Sequence, residues 1–276
     1  MSYLSSSAKP SAEIYYEDTG GSGQPIVLIH GWPLNGRMWE AQINGLTAAG
    51  FRCISYDRRG FGASGKPAGG YDYDTMTSDL RDVLEHLDLH DVVLAGFSMG
   101  GGEVCRYFGR YSGKRVAKAM LISAVPPFLL KTPDNPEGVP QDVFDGILKG
   151  VVNDRINFLA GFLQKFFNLD KHKTAISDEA LLYNKSIAWH ASPIATQECV
   201  KAFSGSDFRS DMQKMTVPTL VVHGDSDQIV PFEVSGKRSA ALLKQSRLEV
   251  IKGAPHGLAS THGDQLTKLM LDFLRS

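Results

Sequence analysis

The chain has 276 residues, 42% of them hydrophobic, and 29 Lys and Arg against 30 Asp and Glu give a formal net charge of −1. That is enough apolar material for the core of one domain, with room for an insertion, and the balanced charge offers no general attraction to nucleic acid or an anionic membrane. No apolar run approaches a membrane span, the opening Ser-Tyr-Leu-Ser-Ser-Ser lacks the basic-then-apolar order of a signal peptide, and Cys53, Cys105 and Cys199 form no C-x-x-C, so a soluble cytoplasmic protein without a disulfide framework or zinc ribbon is expected.

Residues 13–17 (Glu-Ile-Tyr-Tyr-Glu) read as an outer strand and 19–23 as a glycine-rich turn. Residues 25–30 are apolar enough for a strand buried on both faces, ending at Gly31-Trp32-Pro33. A helical pattern over 38–48 is followed by a strand at 51–57, a glycine-rich loop and a helix over about 75–87. The run Val92-Val93-Leu94-Ala95 opens another buried strand, a helix passes through Tyr107, Phe108 and Tyr111, and residues 116–122 form one more apolar strand. At Pro126 the rhythm breaks, because Pro126, Pro127, Pro133, Pro136 and Pro140 exclude a continuous helix or central strand. Residues 141–212 are helical and aromatic in character. The alternation then resumes with a strand at 218–223, a helix near 232–243, a strand at 248–251 and a helix at 265–274. Strand–helix alternation at this spacing predicts an α/β fold: a mostly parallel sheet with helices on both faces, formed by residues 1–125 and 213–276 and carrying a helical insertion over 126–212.

Between the strand at 92–97 and its helix lies Gly96-Phe97-Ser98-Met99-Gly100, the G-x-S-x-G pattern in the strand–turn–helix setting that a nucleophile elbow requires. A serine at the tip of so sharp a turn is strained, so the residues two before and two after it must be small. The helix behind it points free N–H groups at whatever the serine attacks. Such a serine needs a base, and the base needs a third group to fix its tautomer. In open α/β sheets these groups sit on loops beyond the carboxyl ends of strands. Two such loops follow the insertion: His223-Gly224-Asp225-Ser226-Asp227-Gln228-Ile229-Val230-Pro231 and Gly253-Ala254-Pro255-His256-Gly257. The order Ser98, Asp, His256 is the α/β-hydrolase order.

His256 could also be a plain loop histidine that caps the last helix. His86 and His90 fit a solvated helix face, His172, His190 and His262 lack the strand-end position, and His30 and His223 end strands too early in the order. Asp225 and Asp227 compete for the acid: Asp225 sits in the tight turn as a turn-former, whereas Asp227, just before Ile229-Val230-Pro231, is better placed to reach across. The oxyanion needs two backbone donors. The N–H of Met99 is one candidate and that of Trp32 the other, since Pro33 has no N–H to give. Gly60-Phe-Gly62-Ala-Ser-Gly65 matches G-x-G-x-x-G, but Pro67 and Gly69-Gly70 intervene before any helix, so no phosphate cradle is expected. Nothing resembles H-E-x-x-H or another metal cluster.

Gly96-Phe-Ser-Met-Gly-Gly-Gly102, His30-Gly-Trp-Pro33, Asp57-Arg-Arg-Gly-Phe-Gly62, Asp207-Phe-Arg-Ser-Asp211, the loop from His223 to Pro231 and Ala254-Pro-His-Gly257 together resemble the α/β-hydrolase superfamily, and within it the cofactor-free bacterial haloperoxidase and aryl esterase branch. The resemblance covers essentially the whole chain. It implies Ser98, Asp227 and His256 as a triad, Trp32 and Met99 as oxyanion donors, residues 57–62 as a structural turn, and the insertion as a cap over the pocket. It also implies acyl transfer from a small ester or carboxylic acid to water or to hydrogen peroxide, a peracid that oxidises bromide or chloride, no haem, metal or flavin, and a homo-oligomer. Pro33 restricts Trp32 toward extended geometry, which would aim the Trp32 carbonyl into the pocket as an acceptor for peroxide and favour perhydrolysis over hydrolysis. Phe128, Phe144, Phe158 and Phe162 suggest an apolar pocket, or a cap core. A lactam or amide hydrolase uses the same triad, and a non-catalytic ligand receptor can be built on the same fold.

Overall fold

A computed structural model describes residues 2–171 and 175–276, so His172 lies outside the described residues. Its frame is an eight-stranded sheet in the order β1 (Ser2–Ser5), β2 (Glu13–Asp18), β4 (Arg52–Tyr56), β3 (Pro25–Ile29), β5 (Val92–Phe97), β6 (Val116–Ile122), β7 (Thr219–Gly224) and β8 (Ser246–Ile251). The pairs β1–β2 and β2–β4 are antiparallel and every other pair is parallel. Every residue of β5 and β7 is buried, as are Ile26 to Ile29 of β3. Helices cover both faces, so these strands are apolar at every position rather than at alternate ones. β3 pairs with β4 on one side and β5 on the other. The sheet order therefore reverses at β3, and a crevice opens beyond the carboxyl ends of β3 and β5.

The elements differ from the sequence expectation where polar contacts override periodicity. β1 has no counterpart in the sequence reading. Its residues Ser-Tyr-Leu-Ser bury only Leu4, and the strand exists because it pairs with β2 from Ser2–Tyr16 to Ser5–Glu13. The helix expected at 38–48 is a 3-10 turn, Gly36–Trp39, followed by α1 (Glu40–Ala48). The turn starts early because the Asn35 side chain accepts the Arg37 N–H. α2 (Tyr73–His86) likewise starts where Asp72 caps the Thr75 N–H at 2.9 Å. The segment 232–243 is a 3-10 turn, Phe232–Val234, and α8 (Gly236–Leu242), parted at Ser235, whose hydroxyl donates to the Ala124 carbonyl at 2.7 Å.

Behind β5 runs α3 (Met99–Tyr111). Between β6 and β7 the chain runs through α4 (Gln141–Phe166), α5 (Asp178–Trp189), α6 (Pro193–Gly205) and the short α7 (Arg209–Met212). α4 is broken at Asp154 (φ −152°, ψ 85°), whose carboxylate caps the second arm by accepting the Asn157 N–H at 3.0 Å. The proline-rich stretch before α4 forms isolated bridges, Leu130 with Val139 and Thr132 with Asn135. The chain closes with α9 (Leu258–Thr261) and α10 (Gly263–Leu274). Among the described residues no helix is long and apolar enough to cross a membrane.

Two arginines in the turn at 57–62 are fully buried. Arg59 holds Asp79 through two hydrogen bonds of 2.6 and 2.7 Å. Arg58 pairs with Glu103 on α3, which also accepts from the Tyr56 hydroxyl at 2.6 Å, and donates to the His30 carbonyl at 2.6 Å. Burial pushes the Glu103 carboxyl up, and the Arg58 guanidinium offsets part of that rise. Removing one member strands the other charge in the core, at a cost of about 3–5 kcal/mol. Arg58→Met should therefore lower Tm by roughly 10 °C for a domain of this size, and Arg58→Met/Glu103→Leu by clearly less. Calorimetry on the three proteins checks this, and a double variant no more stable than the single one contradicts it.

Candidate active site

Ser98 stands where β5 hands over to α3, with φ 53° and ψ −118°, a region L residues rarely occupy. The turn is tight enough to demand glycine on both sides. A Cβ on Gly96 would lie 2.5 Å from the Gly100 carbonyl oxygen, and one on Gly100 would lie 2.4 Å from that of Ile29. The elbow is locked to the neighbouring strand by the Ser98 N–H, which donates to Ile122 at 2.9 Å. The hydroxyl is consequently lifted clear of the sheet at the crevice.

The loop after β8 brings His256 to it. The Ser98 hydroxyl lies 2.9 Å from Nε2 of His256, and Nδ1 of His256 lies 2.7 Å from Oδ2 of Asp227. All three side chains are buried. An ionised carboxylate only accepts, so the proton between Asp227 and His256 belongs on Nδ1, leaving Nε2 free to take the serine proton. Phe97 and Phe166 pack on the imidazole, with ring centroids at 5.0 and 4.9 Å. Asp227 also accepts at Oδ1 from the N–H groups of Ile229 and Val230, at 2.9 and 2.8 Å. Burial alone would raise its carboxyl, but the opposing charge of His256 and the neighbouring His223 hold it well below the usual carboxylate range. Asp227 therefore stays ionised.

Asp225, the competing acid, is exposed. Its Oδ1 accepts the Gly253 N–H at 2.6 Å, tying the β7 loop to the β8 loop. The sequence reading passed over His223, which the structure puts in the site. Its Nε2 donates to the Val230 carbonyl at 2.9 Å and lies 3.3 Å from Oδ2 of Asp227. The four-residue spacing from His223 to Asp227 was the available signal. Asn168, just beyond α4, was also missed. Its Nδ2 donates to the Ser226 carbonyl at 2.8 Å and so ties the Asp227 loop to α4.

Trp32 lies in the loop beyond β3, where the Leu34 N–H closes a turn on the Gly31 carbonyl at 3.0 Å and the Trp32–Pro33 peptide is cis. Its indole donates to the Thr196 carbonyl on α6 at 3.1 Å and packs edge-on against Phe162 at 5.0 Å. Met99 is the first residue of α3, so its N–H has no acceptor within the helix. Among the described residues neither the Trp32 nor the Met99 N–H is taken by a protein acceptor. Met99 follows Ser98 in the chain, and Trp32 lines the same cavity as Ser98.

Ser98 opens into a cavity of about 40 Å³ whose walls are otherwise apolar, among them Trp32, Val125, Leu129, Phe144, Phe162 and Phe203. Of the four phenylalanines expected at a pocket, Phe144 and Phe162 line it. Phe158 lies farther out, on α4, and Phe128 sits under the Arg209 guanidinium at 5.3 Å. The glycine-rich stretch 60–65 spends its donors internally: Gly60 on Gly65, Phe61 on Arg58, Ala63 on the Asp57 carboxylate, Ser64 on Phe61 and Gly65 on Glu13. Those N–H groups are not free to cradle a phosphate. The arrangement sets a hydroxyl, an imidazole and a buried carboxylate in the order that proton transfer from the hydroxyl requires.

The family model of the alpha/beta hydrolase fold matches residues 24–262. The chain is 42% identical over 272 residues to a non-heme chloroperoxidase of Kitasatospora aureofaciens, covering 96% of this chain and 97% of that one. It is 38% identical over 281 residues to a bifunctional esterase/perhydrolase of Acinetobacter calcoaceticus, covering 100% of both. The crystal structure of a bromoperoxidase from Bacillus anthracis superposes with a TM-score of 0.95 at 48% identity, covering 100% of both chains.

Proposed function

Because the chain belongs to the alpha/beta hydrolase family, in its branch of non-heme haloperoxidases and esterases, we propose that it is a serine-dependent acyl-transfer enzyme that hydrolyses small or aryl esters and, with hydrogen peroxide, makes peracids that oxidise halide. The observation that carries this reading is the unbroken hydrogen-bonded line from the Ser98 hydroxyl through His256 to Asp227. His256 takes the Ser98 proton as Oγ bonds to the acyl carbon, and the Trp32 and Met99 N–H groups hold the developing oxyanion. His256 then protonates the departing alcohol oxygen. In the second half water or hydrogen peroxide gives a proton to His256 and its oxygen attacks the acyl carbon; Ser98 leaves and recovers the proton. A peracid released this way transfers one oxygen to bromide and is reduced to the carboxylic acid, while bromide is oxidised to hypobromous acid. No step in this scheme calls on a metal or a redox cofactor.

In this reading the segment 126–212 caps the site. Its α4 and α6 press Phe162, Phe166 and Phe203 toward Trp32 and His256. Excluding water there strengthens each charge interaction. A panel of short-chain and aryl esters, assayed with and without peroxide and bromide, tests the proposal; absence of ester turnover across the panel would sink it. Pro33 is the residue expected to tilt the balance between acceptors. Pro33→Leu should raise hydrolysis relative to perhydrolysis by several-fold, read as the ratio of acid to peracid formed from one ester, and an unchanged ratio removes Pro33 from the account.

A further inference from the structure

Asp227 and His256 sit on the loops that follow β7 and β8, and both loops are also bonded to a third segment, the turn that ends α4. The Phe166 carbonyl accepts the N–H of Gly257, the residue after His256, at 2.8 Å. Phe167 packs on the same glycine, where an added Cβ would come within 2.4 Å of its ring. Asn168 holds the other loop at two points. Its Nδ2 donates to the Ser226 carbonyl at 2.8 Å, and its Oδ1 accepts from the Gln228 side chain at 2.6 Å. Ser226 and Gln228 are the chain neighbours of Asp227.

α4 ends in a Schellman motif. The Leu169 N–H reaches back to the Gln164 carbonyl at 2.8 Å and the Asn168 N–H to that of Lys165 at 3.1 Å, with Asn168 left-handed at φ 54°. Glycine is the usual residue at that position, because it has no Cβ to strain. Asparagine tolerates the conformation less well than glycine does. Asn168 is 1% exposed and its amide is bonded at both ends, so the position uses the side chain as well as the backbone. The bonds from Asp227 to the Ile229 and Val230 N–H groups lie within the loop and move with it. Holding Oδ2 at 2.7 Å from His256 therefore needs ties from outside. Asp225 supplies one, to Gly253, and Asn168 supplies those on either side of Asp227.

We propose that residues 166–168 are a clip between the two loops, and that Asn168 is its positioning residue, setting kcat by keeping Asp227 on Nδ1 of His256. The role presupposes the acyl-transfer reading and adds a residue to it that touches no substrate. Asn168 lies outside the walls of the Ser98 cavity, so its loss should act on kcat and leave KM alone.

Asn168→Gly is the test, since glycine keeps the left-handed turn and removes only the amide. With phenyl acetate, kcat should fall about tenfold or more, the scale on which small misplacements slow enzymes, while KM stays within about twofold. Gln228→Ala, which removes one of the two side-chain bonds and leaves α4 untouched, should lose less. Added to Asp227→Asn, Asn168→Gly should cost no more than about twofold, because its effect passes through the carboxylate. Independently of turnover, the Gly257 amide should exchange with deuterium at least about tenfold faster in Asn168→Gly, as the clip loosens. An Asn168→Gly protein with unchanged kcat, or one that loses the same factor with and without the Asp227 carboxylate, overturns the proposal. Failure of the acyl-transfer reading would look different: no ester turned over by the unaltered protein, whatever the exchange at Gly257 shows.

Discussion

Ser98→Ala should lower kcat for hydrolysis of a phenyl ester by about 10⁶-fold, the scale on which serine triads lose activity when the nucleophile is removed. Oxyanion donors and binding alone would leave a residue of roughly 10³- to 10⁴-fold over the uncatalysed rate. The same substitution should abolish enzyme-dependent bromination of a phenol supplied with acetate, peroxide and bromide, because in the proposed scheme peracid forms only from the acyl-enzyme. The fold should survive, since alanine keeps the backbone of residue 98 and the Ser98 N–H bond to Ile122 is a main-chain one. Side-by-side assays of ester cleavage and bromination check the link. Bromination persisting at the original rate after ester cleavage has gone would separate halide oxidation from Ser98.

Asp227→Asn should cost about 10⁴-fold in kcat with little loss of structure, as removal of the carboxylate charge does in a serine triad of this geometry. The carboxylate accepts two backbone N–H groups at Oδ1 and faces His256 at Oδ2. In the variant the amide oxygen takes over the two backbone donors, which turns the NH₂ toward Nδ1 of His256. That amide donates, so the imidazole must carry its proton on Nε2, where it cannot accept the Ser98 proton. Raising the pH does not restore the tautomer, so the loss should persist across the alkaline range. Hydroxide-driven recovery to within tenfold of the original rate would mean that Asp227 does not act by fixing the His256 tautomer.

The parts of the fold legible in the sequence are those where burial is uniform. β3, β5, β6 and β7 announce themselves because helices on both faces leave long apolar runs in them. The elbow is legible because the close approach of Gly96 and Gly100 to backbone leaves no alternative residue type. What stayed hidden depends on partners distant in the chain. β1 is a strand only because β2 lies beside it. Arg58 and Arg59 look like solvated turn residues until Glu103 and Asp79 arrive from two helices to neutralise them in the core. His223 ends a strand too early in the chain for a general base, and its four-residue spacing to Asp227, the one local hint, brings the two together only through the fold of the loop. The break in α4 was written locally, in Asp154 as a cap three residues before Asn157, but a single Asp in an amphipathic pattern reads as surface.

The most direct measurement is covalent. A serine-reactive aryl phosphonate should add once per chain, and peptide mass spectrometry should place the adduct on Ser98. The adduct should be absent from Ser98→Ala and form far more slowly in His256→Ala, because the imidazole 2.9 Å away is what makes that hydroxyl a nucleophile. No adduct on the folded, unaltered protein, or an adduct on some other residue, would contradict the account at its centre.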